Sequence, residues 1–169
     1  MAANLVYKEE SEHAELPTII NLDAIDKILT HIKLIQFNIS RAEEERQAFL
    51  KTNDMKDEAA KKNTIASFTS EISAKISATS KSIAALQAEC NARASELQTD
   101  VFSNAELRMQ HTAAAVMQAR LYELIKASSR LQLDVKNSYQ DKVKRQLAVH
   151  APNANEEQME QLMAKPEVS

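Results

Sequence analysis

SNAELRMQHTAAAVMQARLYELIKASSRLQLDV, residues 103–135, is the stretch that decides how this chain folds. Ser103, Asn104, Ala105 and Glu106 match the S-x-x-E capping box, and Phe102 before it with Leu107 after it supplies the two halves of a hydrophobic staple. From there Leu107, Ala114, Met117, Leu121, Leu124, Ser128, Leu131 and Val135 keep heptad spacing, which lays one stripe along one side of a helix. Helix C is therefore expected from about 104. With no breaker before Pro152 it should run to about 149.

Working outward, Pro17 and Asn21 precede Leu22, Ile25, Ile28, Leu29, Ile32, Ile35, Ile39, Ala42, Phe49 and Leu50, apolar at threes and fours, which predicts helix A over 22–51. Thr52, Asn53 and Asp54 form the break, because short polar side chains compete with helical backbone bonding and serve as caps. Helix B, expected over 58–98, carries Ile65, Ile72, Ile76, Thr79, Ile83, Leu86, Cys90 and Leu97. Beyond Pro152 a linker over 150–169 holds a short acidic helix from about Glu156, capped by Asn153 or Asn155, with Met159, Leu162 and Met163 on one side. Residues 1–21 read as an acidic leader: Lys8, Glu9, Glu10, Glu12 and Glu15 sum to −3 (one minus four) with no apolar period.

Composition narrows the chemistry. There is no glycine in the 169 residues, although an average chain carries roughly 7%. Phosphate-cradling loops, I′ and II′ hairpin turns and nucleophile elbows need backbone positions that glycine alone fills cheaply, so helix is what remains. Aromatic residues are 4% with no Trp, and the core must be aliphatic. A net charge of −3 with no basic stripe gives no reason to expect nucleic acid. Cys90 alone cannot form an intramolecular disulfide; it lies on the apolar seam of helix B and reads as a small buried hydrophobe. With no secretory signal and no apolar run long enough to span a bilayer, the chain is expected to be cytosolic.

No catalytic residues, cofactor or metal site are expected. Glu10-x-x-His13 is the only Glu-x-x-His and lies in the leader, whereas a dimetal site of the ferritin type needs two on inward-facing helices. His31, His111 and His150 have no Cys or His at ligand spacing. Glu43, Glu44 and Glu45 are consecutive and fan around their helix as a solvated face.

Three long amphipathic helices joined by short polar links must run antiparallel, each burying its stripe against the other two. The expected fold is all-α: an elongated up-down-up three-helix bundle with a short C-terminal helix or linker, monomeric. One detail exceeds a plain bundle. Past Val135 the heptad positions are Ser138, Lys142 and Arg145, while apolar residues move to Tyr139, Val143 and Leu147, so the packing face is expected to change there. Tyr122 and Leu133, eleven residues or about three turns apart, stand together off the main stripe. They either widen the core face or form a ledge for another helix.

The C-terminal third resembles a known family. Met117, Leu121, Glu123, Leu124, Ile125, Gln132 and Asp134, then KVKRQL at 142–147, then the acidic EEQMEQLM at 156–163, are similar to the end of the third helix of a syntaxin's N-terminal regulatory domain. In that family this helix ends in a basic stretch with Arg-Gln-Leu, and an acidic linker helix leads into the membrane-fusion motif. The likeness spans roughly Leu22 to Met163, helices A and B matching only in pattern. Ser128 departs from it, standing where the family tends to place an aromatic. The leader also lacks the short N-peptide signature by which many syntaxins grip their Sec/Munc-type chaperone.

The resemblance implies the family's Habc bundle, a regulatory part whose SNARE helix and tail anchor are expected beyond Ser169. It implies a domain that holds its own SNARE helix in a closed form, meets partner SNAREs and a Sec/Munc-type chaperone, and reaches a membrane's cytosolic face only through that anchor. The candidate helix-binding groove lies on the surface of helices B and C, with Tyr122, Leu133, Tyr139, Val143 and Leu147. Arg145, Met159, Leu162 and Met163 are the candidate linker contacts. Two other classes fit the composition: a lipid-surface bundle, disfavoured by polar faces of mixed sign, and a dimeric coiled-coil rod.

Overall fold

The computed structural model describes residues 20–164; the expected leader, apart from its last two positions, and the last five residues of the linker lie outside them. Four helices follow in order: α1 (Leu22–Lys51), α2 (Met55–Glu96), α3 (Ala105–His150) and the short α4 (Glu156–Ala164). With no strand among the described residues, the fold is all-α, three long helices packed together plus the short fourth.

Short polar side chains set the boundaries. Asn21 Oδ1 accepts from the Ala24 N–H at 3.1 Å, and Asp54 Oδ1 from the Lys56 N–H at 2.9 Å, satisfying amides that a helix start leaves without an intrahelical partner. Asp54 thereby starts α2 ahead of the expected 58; Met55 is 80% exposed, so apolar periodicity carried no sign of that first turn. At α3 the cap lies one residue later than the S-x-x-E pattern placed it. Asn104, not Ser103, is the cap, its Oδ1 accepting from the N–H groups of both Glu106 and Leu107 at 3.0 and 3.1 Å. That moves Phe102 one place too far out to staple Leu107. Its ring meets His111 edge-on, 5.3 Å between centroids, while Leu107 is buried beside Cys90 and Ala94. At α4 the cap is Asn155, which exchanges two hydrogen bonds with Gln158, at 2.8 and 3.2 Å.

The end of α2 shows what the lack of glycine costs. Leu97, expected on the helical stripe, is the half-exposed C-cap, and Gln98 follows with φ 49°. Thr99 N–H donates to the Ala94 carbonyl at 3.0 Å and Gln98 N–H to that of Ser95 at 3.1 Å, the pattern that closes a helix through a left-handed residue. A Cβ in that region costs roughly 1–2 kcal/mol. Gln98→Gly is expected to stabilise the protein by about 1 kcal/mol, read as a higher urea midpoint at unchanged m-value. A lower midpoint would show that Gln98 is held there by contacts glycine cannot replace.

Contacts at the two ends establish the up-down-up course. At one end Asn21, ahead of α1, donates from its backbone to Gln110 Oε1 of α3 at 3.0 Å and from Nδ2 to Glu89 Oε2 of α2 at 3.1 Å. At the other, Phe49 and Thr52 meet Glu58 and Lys142. Between them runs an aliphatic core of Ile28, Ile32, Ile35 and Ala42 from α1, Ile72, Ile83 and Leu86 from α2, and Ala114, Met117, Leu121 and Leu131 from α3. Cys90 is fully buried in a second small cluster, its Sγ–H donating to the Leu107 carbonyl at 3.3 Å, and burial pushes its thiol pKa up.

The packing face of α3 does not change past Val135. Leu107, Gln110, Ala114, Met117, Leu121, Ser128, Leu131, Ser138 and Lys142 are all buried, and the half-buried Leu124 and Val135 complete the run of three- and four-residue steps. The seam continues and turns polar. Asn38 on α1 is buried too, and its Nδ2, like Thr79 Oγ1 on α2, has no hydrogen-bond partner among the described residues. A core Asn of this kind costs stability and disfavours shifted registers.

Candidate functional site

The polar end of the bundle is tied by charge. Arg46 of α1 forms a forked pair with Glu43 one turn earlier and donates from Nη1 to Ser138 Oγ of α3 at 2.8 Å. Hydrogen bonding to Arg46 holds the Glu43 carboxyl below its usual range, and the same bond raises Arg46. Glu43 is thus part of a cross-helix contact as well as of a charged face. Four residues beyond Ser138, the Lys142 ammonium lies 2.8 Å from Glu58 of α2, donates to the carbonyls of Phe49 and Thr52, and sits 4.4 Å from the centroid of the Phe49 ring. Lys142 joins three helices at one atom. It also places positive charge at the C-terminus of α1, where the helix dipole favours it.

The outer surface of α3 has two flanks. The one toward α2 is marked by the Gln87–Gln118 hydrogen bond at 3.2 Å and by Lys62 of α2 over the Tyr139 ring at 5.1 Å. Tyr122 and Val143, 58% and 38% exposed, are three whole heptads apart and share one ridge on this flank. Leu133, 57% exposed, and the half-buried Leu147 are two heptads apart on the next ridge outward. Tyr139 is turned inward. It is half-buried and meets Phe49 edge-on at a centroid distance of 4.9 Å, and that burial raises its hydroxyl pKa. Four of the five proposed groove residues therefore look outward on two adjacent ridges, and the fifth anchors the core.

Across from this flank, α2 exposes no large apolar side chain between Met55 and Leu97. Its surface on the side that carries Lys62 and Gln87 is short: by helical spacing it holds Ala66, Ser70, Ser73, Ser77, Ser80 and Ala84, all exposed. An incoming helix would meet an apolar wall on α3 and a low floor on α2, and the residues at a contact set how closely two helix axes approach.

The α1 flank holds a feature that the apolar stripes did not disclose. An open cleft of about 690 Å³ runs between α1 and α3, floored by Leu29, Ile32, Val116 and Leu124 and edged by Lys33 and Arg120. The signal off the main stripe was Val116, 49% exposed on α3.

Farther along, α3 outruns the bundle, and α4 folds beside its end. Arg145 with Lys144 and Ala148 on α3, and Met159 with Met163 on α4, line one hollow of about 400 Å³. Leu162 is placed elsewhere, 44% exposed, in a shallow depression with Ala154, Gln158 and Gln161.

Among the described residues no group of His, Cys, Asp or Glu is disposed to hold a metal ion, and no helix is long and apolar enough to cross a membrane. Fold and surface together define an all-α bundle whose longest helix leaves apolar side chains exposed on both flanks. The family model of the syntaxins matches the chain over residues 21–169, and the protein belongs to the syntaxin family. That match covers α1 and α2 as well as the C-terminal third whose residues first pointed to it. The family is one of SNARE-related, non-enzymatic proteins of membrane trafficking, associated with membranes at their cytosolic face. No curated protein matches the chain.

Proposed function

We propose that this bundle is the regulatory Habc-type module of its syntaxin: it binds a SNARE-motif helix, its own in a closed form, along the α2 flank of α3, and presents that assembly to a Sec/Munc-type chaperone. The supporting observation is the pair of outward apolar ridges, Tyr122 with Val143 and Leu133 with Leu147, beside an α2 surface of Ser and Ala. A fourth amphipathic helix laid there would bury side chains that the three-helix fold leaves in water. The hollow between α3 and α4 supports the same reading, because Met159 and Met163 draw the linker helix against the basic end of α3.

The test is titration of a fluorescent SNARE-motif helix into the parent protein and into the Tyr122→Asp, Leu133→Asp double variant. Burial of two such side chains contributes about 1.5–3 kcal/mol each, so the variant is expected to bind at least tenfold more weakly. Both positions are exposed, and helical circular dichroism should not change. Equal affinity would remove the groove assignment.

A further inference from the structure

The cleft on the other flank of α3 has the chemistry of a second docking site. Its floor of Leu29, Ile32, Val116 and Leu124 is apolar, and its edges carry two cations, Lys33 and Arg120. Glu123, the acidic group beside them, is engaged by Lys126 at 3.1 Å. Neither Lys33 nor Arg120 has a carboxylate partner among the described residues. An occupant must therefore bring apolar side chains together with negative charge.

We propose that the occupant is the protein's own leader, residues 1–19, with Leu5, Val6 and Tyr7 entering the cleft and carboxylates of Glu9, Glu10, Glu12 and Glu15 facing Lys33 and Arg120. Composition is the first argument. That segment joins an apolar triplet to a net charge of −3, the complement of the cleft. Reach is the second. From Ile20 to Leu29 is nine residues, about 14 Å along α1, and nineteen residues span up to roughly 60 Å. The C-terminal residues 165–169 of this sequence cannot compete. From Leu124 to His150 alone is about 39 Å along α3, and five residues extend to less than about 20 Å. Tethering then does much of the work. A short covalent connection gives an effective concentration in the mM range, enough to fill a site whose exposed ion pairs are individually weak. A leader held on the α1 flank leaves the α2 flank open, so the two faces of α3 can be occupied separately.

The test places a photoreactive benzophenone side chain at Val116 in the full chain and maps its crosslinks by mass spectrometry, with the same probe at Tyr122 on the opposite flank as reference. Crosslinks from position 116 are expected within residues 1–19 of the same molecule and to be scarce from position 122. The yield should fall about fivefold when Glu9, Glu10, Glu12 and Glu15, which precede the first helix, are changed to Lys, and again when salt is raised to about 1 M. Lys33→Glu with Arg120→Glu should restore it in the charge-reversed leader. Crosslinks to a second copy, to any segment other than the leader, or in a yield indifferent to both charge reversal and salt would overturn the proposal.

Discussion

Lys142→Ala is expected to destabilise the protein by about 3 kcal/mol, the low end of what breaking a buried ion pair costs, and to lower the melting temperature by roughly 6–12 °C. The side chains of Lys142 and Glu58 are only 10% and 13% exposed, so removing the ammonium leaves a carboxylate without a partner in a poorly hydrated place. The carbonyls of Phe49 and Thr52 lose their donor in the same step. Lys142→Met with Glu58→Leu should recover most of the loss, because an apolar pair of similar volume avoids burying charge at all. Urea unfolding of the three proteins measures this directly. If Lys142→Ala stays within about 0.5 kcal/mol of the parent, the pair is in effect solvated and the polar end of the bundle is held by other contacts.

Ile35→Ala is the second large effect, an expected loss of about 3–4 kcal/mol. Ile35 is fully buried in the core shared with α2 and α3, so the three carbons removed leave a cavity that three packed helices cannot close without moving together. The exposed Phe37 two residues on supplies the control: Phe37→Ala should change stability by less than about 0.5 kcal/mol despite removing a larger side chain. Comparable losses at both positions would mean that α1 is rotated from the orientation described. On the proposed binding of a SNARE-motif helix, loss of Ile35 should act only as far as it unfolds the protein, which separates it from Tyr122 and Leu133.

The heptad of α3 was more trustworthy than the hydrophobicity of its members. Followed by position alone, it places Ser138, Lys142 and Arg145 inside, and the first two are found there while Arg145 is exposed; followed by apolar character, it steps aside to Tyr139, Val143 and Leu147. The reason is that burial is set by helix geometry, and a polar side chain is tolerated at a core position when partners are supplied from elsewhere. Those partners, Glu58 and two carbonyls at the end of α1, lie some ninety residues away in sequence, and nothing local to Lys142 announces them. The cap at Asn104 failed to be legible for a subtler reason. Ser103 and Asn104 are both good caps, and only the backbone geometry chooses between them.

The sequence alone determined that the protein is helical, where its three long helices lie to within a few residues, which side of each is apolar, and that it is a syntaxin relative. Those properties are local: they follow from residue spacing at 3.6 per turn, from short polar caps and from the absence of glycine. Tertiary structure alone decided that Lys142 ties three helices together, that Tyr139 faces inward while Tyr122 faces out, and that an apolar cleft opens between α1 and α3. Each of these depends on how far apart and how rotated two helices sit, and helix orientation is a compromise among all the side chains at the contact that no single segment encodes.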